Sequence, residues 1–187
     1  MKVTVFPKRS KVDKSVTPEP IKNPLARFGI LGLASGFGLG YAPFASGTFG
    51  SVLGIPFGLF IMRLSDPWAL GVTAAFFVLA SLISDRAGRH WGQMDSGRIV
   101  IDEILGQAIA MMGLRAYANP ENMLPPVAWV LISFLLFRVL DILKPYPARS
   151  FDRIPTGWGA VLDDVAAGLY AALFLMGFSK IAGDMLS

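Results

Sequence analysis

Cysteine is absent from this 187-residue chain, and histidine occurs once, at His90. Without thiols there is no disulfide, no zinc–thiolate centre and no cysteine nucleophile. One histidine argues against a phosphatase site built from several. Charge is also scarce: 16% of residues are charged against roughly 25% in soluble domains. Hydrophobic residues make up 53% of the chain, and the mean hydropathy is +0.55. Such a surface belongs in or against a membrane, unless a homo-oligomer hides it. The length fits a single domain.

What charge there is lies unevenly. Residues 1–27 hold seven basic and two acidic groups, net +5, which leaves −1 for the rest. This stretch has four prolines and no long apolar run. It reads as a mobile basic arm ahead of one helical domain over 28–187, either solubilising or drawn to anionic lipid on the cytoplasmic side. It has no compact apolar stretch of the signal-peptide kind. Nucleic acid is not an expected partner, because no folded aromatic surface backs the basic residues.

Apolar segments run at about 28–45, 49–64, 68–83, 99–114, 127–143 and 160–182. Their length and their Leu, Ala, Ile, Met and Phe content predict helices rather than strands. The expected fold is therefore all-α, a compact bundle of about six helices, membrane-associated or integral. Five glycines between Gly29 and Gly40 predict a broken helix or a close-packed loop in the first segment. Leu64-Ser65-Asp66-Pro67 and the stretch from Asn119-Pro120 to Pro125-Pro126 read as sharp reversals. If both close helical hairpins, residues 46–51, 85–103, 138–153 and 163–164 converge on one end of the bundle.

That end collects the chemistry. Asp102-Glu103 and Asp163-Asp164 are both set in apolar runs, where ionised groups are expensive unless a cation neutralises them. Adjacent carboxylates repel each other, so a divalent cation is a natural partner. Mg²⁺ suits oxygen ligands and keeps sites open for phosphate. Either pair alone also fits an acidic patch at a helix N-terminus. Gly106 and Gly168 follow the pairs by about one turn, where a missing side chain lets another helix approach.

Arg138, Asp141 and Lys144 recur every three residues and share a helix face. They read as a ligand acid between two phosphate-binding cations, or as a self-satisfied salt bridge. The loop Ser46-Gly47-Thr48-Phe49-Gly50-Ser51 opens an apolar helix, where backbone amides and the Thr48 and Ser51 hydroxyls can hold phosphate oxygens. It lacks the lysine of a Walker loop, and a plain helix cap is the simpler account. Arg98, four residues before Asp102, is placed to pair with it. His90 receives no role. With no cysteine nucleophile and no Asp-x-Asp element, metal-assisted attack by water with carboxylate ligands and base remains.

The motifs Phe-Arg-x-x-Asp-x-x-Lys-Pro-x-Pro at 137–147, Ile-Asp-Glu-x-x-Gly at 101–106, Asp-Asp at 163–164 and Gly-Thr-x-Gly-Ser at 47–51 resemble the bacterial phosphatidylglycerophosphatase A family. The resemblance runs over roughly residues 28–180. It implies an all-helical, Mg²⁺-dependent inner-membrane enzyme that faces the cytoplasm and converts phosphatidylglycerophosphate to phosphatidylglycerol and phosphate. By motif, Asp102, Glu103, Asp141, Asp163 and Asp164 are then metal ligands, with Asp141, Asp163 and Asp164 also candidates for the catalytic acid–base or nucleophile. Arg138 and Lys144 are expected to bind phosphate, with Thr48 and Ser51 nearby. The family has Pro before the Gly-Thr pair, where this chain has Ser46; no chemical group is lost. Other lipid phosphates, polyprenyl or phosphatidate, are the nearest alternative substrates. An ion path lined by the acids is the alternative of another class.

Overall fold

The computed structural model describes residues 15–117, 127–151 and 153–186, without the side chains of 116–117 and 179–186. Seven α-helices form among them: α1 (Pro24–Ala34), α2 (Ser46–Met62), α3 (Asp66–Trp91), α4 (Ile101–Met112), α5 (Val127–Leu143), α6 (Ala148–Phe151) and α7 (Gly157–Leu186). No β-strand occurs among the described residues; an isolated bridge joins Ser15 and Gln93. The all-α expectation holds, with one helix more than the six segments. The addition is the single turn of α6, too short to carry a hydrophobic period.

The first apolar segment is broken. Helix α1 ends at Ala34, and Gly36, Phe37 and Gly38 then take left-handed backbone before a 3₁₀ turn at Leu39–Tyr41. Asn23 caps α1 through its side-chain oxygen, and Pro24 occupies its first turn, a pairing that suits a helix start. Upstream, residues 15–23 lie against the end of α3: the Ile21 amide donates to His90 Nδ1 (3.1 Å), and Glu19 faces Arg86 and Arg89.

Helix α4 is the centre of the bundle. Nine of its twelve residues are buried, which requires neighbours on nearly all sides. Glycines let them in. On α2, Gly50, Gly54 and Gly58 recur every four residues; a Cβ there would come within 2.8 Å of Val100, Gln107 and Met111 respectively. On the other side, a Cβ at Gly106 would meet the Phe137 ring at 2.6 Å and the Asp164 carbonyl at 2.9 Å. Gly168 of α7 lies against the Gly106 carbonyl and Ile109. Backbones separated only by glycine approach closely, as small residues allow between membrane helices.

The reversal at Leu64–Pro67 joins α2 to α3. Arg115 fastens it, donating to the Leu64 carbonyl (2.5 Å) and pairing with Asp66 (3.0 Å). The second expected reversal, 119–126, lies outside the described residues. Helix α3 and the Gly157–Phe178 part of α7 are long and apolar enough to cross a bilayer. Only 28% of the α3 apolar window is buried, and Leu70, Val78, Leu79 and Leu82 point outward. This pattern is consistent with a membrane protein.

Candidate active site

The first turns of α2 and α4, the second turn of α7 and the last two turns of α5 meet at one end of the bundle. Asp102, Glu103 and Asp164 can each place a carboxylate oxygen so that all three lie within 4.8 Å of one another. Asp102 and Asp164 are 7% and 5% exposed. Glu103 Oε2 is buried without a hydrogen-bond partner. Burial, reinforced by the Asp102 charge beside it, pushes the Glu103 carboxyl well above its ordinary range. Burial likewise raises Asp102. Three acids in this arrangement demand protons or a cation. An all-carboxylate set with an unsatisfied oxygen fits a hard divalent ion such as Mg²⁺.

The remaining acids are distributed differently. Asp141 accepts from Arg138 Nη1 at 2.7 Å through Oδ2. It adds to the negative potential at Glu103 and lies within charge–charge reach of Asp164. Asp163, one residue from Asp164, points to another side of α7, where Lys144 pairs with it. Lys144 is the first residue after α5 and has left-handed backbone (φ 46°). Arg138 and Lys144, expected together at phosphate, thus serve two different carboxylates.

Arg138 also reaches the Ser46–Ser51 turn. Its Nη1 donates weakly to Ser51 Oγ (3.4 Å), while that hydroxyl donates to the Gly47 carbonyl (2.8 Å). Ser51 is fully buried, so its hydroxyl braces Arg138 and the turn. Thr48 is half-buried in the same turn. A Cβ at Gly47 would stand 2.5 Å from Glu103 Oε1 and 3.1 Å from Arg138 Nη2. The sequence signal for this close contact is a glycine at the second position of the helix. The Thr48 and Phe49 amides donate to the Ala45 carbonyl, so among the first amides of α2 those of Ser46 and Gly47 are left without an intrahelical acceptor, in the turn that packs on Glu103 and Arg138.

Arg98 does not pair with Asp102. Its guanidinium stands over the Tyr41 and Trp91 rings, 5.8 and 5.7 Å from their centroids, a cation–π arrangement that spacing along one helix does not reveal.

The sequence profile described as Phosphatidylglycerophosphatase A matches residues 32–179. The chain is 35% identical over 162 residues to the phosphatidylglycerophosphatase A of Haemophilus influenzae, covering 81% of this chain and 91% of the relative. Against the phosphatidylglycerophosphatase A of Escherichia coli it is 35% identical over 173 residues, covering 91% of each chain. The chain belongs to the phosphatidylglycerophosphatase A family. A Bacteroides thetaiotaomicron protein provisionally described as a phosphatidylinositol-3-phosphatase is 34% identical over 149 residues, covering 76% of this chain and 89% of the relative. No solved structure matches the chain significantly.

Membership in the phosphatidylglycerophosphatase A family makes this chain a phosphatase that hydrolyses a phosphate monoester. The four motifs that carry the resemblance fall at the end of the bundle described above, on α2, α4, α7 and the last turns of α5 with the four residues that follow it.

Proposed function

We propose that the chain hydrolyses phosphatidylglycerophosphate to phosphatidylglycerol and phosphate, with Mg²⁺ held by Asp102, Glu103 and Asp164. The observation that carries the metal assignment is the carboxylate trio, with Asp102 and Asp164 buried and a buried, unpartnered oxygen on half-buried Glu103. The names of the Haemophilus and Escherichia relatives support the lipid. Bound there, Mg²⁺ would neutralise the acids and act as a Lewis acid toward phosphoryl oxygens.

The protein's own groups then divide the work. Arg138 and the first amides of α2 offer donors to the phosphoryl oxygens, where a single well-placed donor contributes about 10²–10³ in rate. Ser51 and Asp141 hold the Arg138 guanidinium in place, and Thr48 stands by as a further hydroxyl donor. Asp141 Oδ1, the oxygen not engaged by Arg138, takes the proton from the attacking water. Asp163 positions Lys144, and through it the junction of α5 and α7. Arg138 among the acids also opposes an ion path, because fixed positive charge obstructs a cation. The apolar helices and the basic arm support an inner-membrane location with the site toward the cytoplasm, where basic segments are favoured.

The test is phosphate release by the purified full-length chain from phosphatidylglycerophosphate, phosphatidate, a polyprenyl phosphate and phosphatidylinositol 3-phosphate, with Mg²⁺ or EDTA. Preference for the first, abolished by EDTA, is expected. Activity untouched by EDTA removes the metal assignment, and preference for another lipid removes the substrate.

A further inference from the structure

Beside the carboxylate trio, a cleft of about 400 Å³ lies between the end of α5 and α6, and Lys144, Tyr146, Arg149, Ser150 and Arg153 line it. Three cations face one small concavity. Among the described residues, neither Arg149 nor Arg153 pairs with an acid, and both are exposed. The cleft is tied to the site by Lys144, which lines it and pairs with Asp163, the chain neighbour of Asp164. Its wall is also anchored: Tyr170 of α7 donates its hydroxyl to the Tyr146 carbonyl at 2.9 Å. Two arginines that pair with no acid among the described residues, held beside a phosphatase centre next to Lys144, suit a second anionic group on the same substrate.

We infer that this cleft is the subsite for the phosphodiester of the lipid, with Arg149 and Arg153 as its specificity-determining residues. The inference rests on the proposed function and deepens it. Phosphatidylglycerophosphate carries two phosphates of different kind: the terminal monoester that is cleaved and the diester that joins glycerol to diacylglycerol. The trio, Arg138 and the α2 amides receive the monoester, and the cleft receives the diester, which is not cleaved. Phosphatidate has no such diester. The cleft therefore selects against the more common lipid monoester by a contact remote from the reacting atoms, the use of binding energy that sharpens specificity.

The experiment compares wild type, Arg149→Ala/Arg153→Ala and Arg149→Lys/Arg153→Lys as full chains, with short-chain phosphatidylglycerophosphate below its micellar concentration. Inhibition by short-chain phosphatidylglycerol reads the diester site, and inhibition by inorganic phosphate reads the monoester site. The alanine pair is expected to raise KM at least about tenfold, the worth of one lost charge-assisted hydrogen bond, with kcat little changed. It should weaken phosphatidylglycerol inhibition in parallel and leave phosphate inhibition as it was, and the lysine pair should recover much of both. Equal weakening of phosphate inhibition would place the arginines in the monoester site and overturn the inference. So would unchanged KM with monomeric substrate and a loss seen only on anionic vesicles, the mark of surface attraction. A wild-type chain inactive on phosphatidylglycerophosphate would instead remove the substrate reading itself.

Discussion

The two acid pairs look alike in sequence and are used differently in space. Asp102 and Glu103 start α4 and both face the trio. Asp164 joins them from α7, while its neighbour Asp163 turns away to Lys144. Adjacent helical residues point about 100° apart, so both members of a pair meet one point only where other helices surround them closely. Helix α4 is enclosed by α2 and α7, and its pair converges. On α7 the sides differ: one faces α4, the other faces the end of α5, and the pair is divided between a carboxylate cluster and an ion pair. Neighbouring acids on a helix therefore form one ligand set only where the packing around them closes on both, as at Asp102–Glu103 and not at Asp163–Asp164.

The strongest way to break this comparison is to neutralise each acid of the second pair in turn. Asp164→Asn is expected to lower kcat/KM by about 10³ or more, through loss of charge at the phosphoryl centre, with a folded protein left behind. Asp163→Asn should lower it far less. Equal losses in phosphate-release assays would mean that both acids act at one centre. The first pair has its own thermal test. Mg²⁺ should raise the wild-type Tm by linkage, and Glu103→Gln should remove that increment while raising the Tm measured in EDTA, because buried repulsion is relieved.

Lys144→Ala comes next. It takes away the ammonium that pairs with the buried Asp163 carboxylate, and a loss of about 3 kcal/mol is expected. The double change Lys144→Ala/Asp163→Asn should recover most of that loss in denaturant titrations. Failure to recover would show that Lys144 acts chiefly on something other than Asp163.

Much of this arrangement was legible in the chain. The apolar runs have helical length, the 64–67 turn carries its Ser-Asp-Pro signal, and acids inside apolar runs declare an unusual partner. The glycines one turn after each pair pointed to close helix contact at the acids, and Gly106 and Gly168 lie against each other's helices. What sequence does not carry is azimuth around a helix. The three-residue spacing put Arg138, Asp141 and Lys144 on one face. Yet α5 ends at Leu143, and the left-handed Lys144 swings its ammonium toward α7. Arg98 shows the same limit: a four-residue spacing matters only inside one helix, and α4 begins at Ile101.

The glycines provide the finest test of how the acid pairs are brought together. A side chain at Gly106 must displace the Phe137 ring and the Asp164 carbonyl, both within 3 Å of where its first carbon would stand. Gly106→Val should therefore destabilise by about 1–3 kcal/mol through overpacking. Because it pushes on Asp164 itself, it should also weaken the Mg²⁺-dependent rise in Tm. Gly71 on α3 is the matched control. No atom lies within 4 Å of a Cβ built there, and its backbone is helical. Gly71→Ala should then stabilise slightly, by about 0.5–1 kcal/mol, since alanine removes glycine's excess backbone entropy without a clash. The Mg²⁺ increment should be unchanged in that variant. If Gly106→Val costs stability but leaves the Mg²⁺ response of the wild type, α4 and α7 can separate without moving the carboxylates. The trio would then be set by the ends of the helices rather than by their crossing.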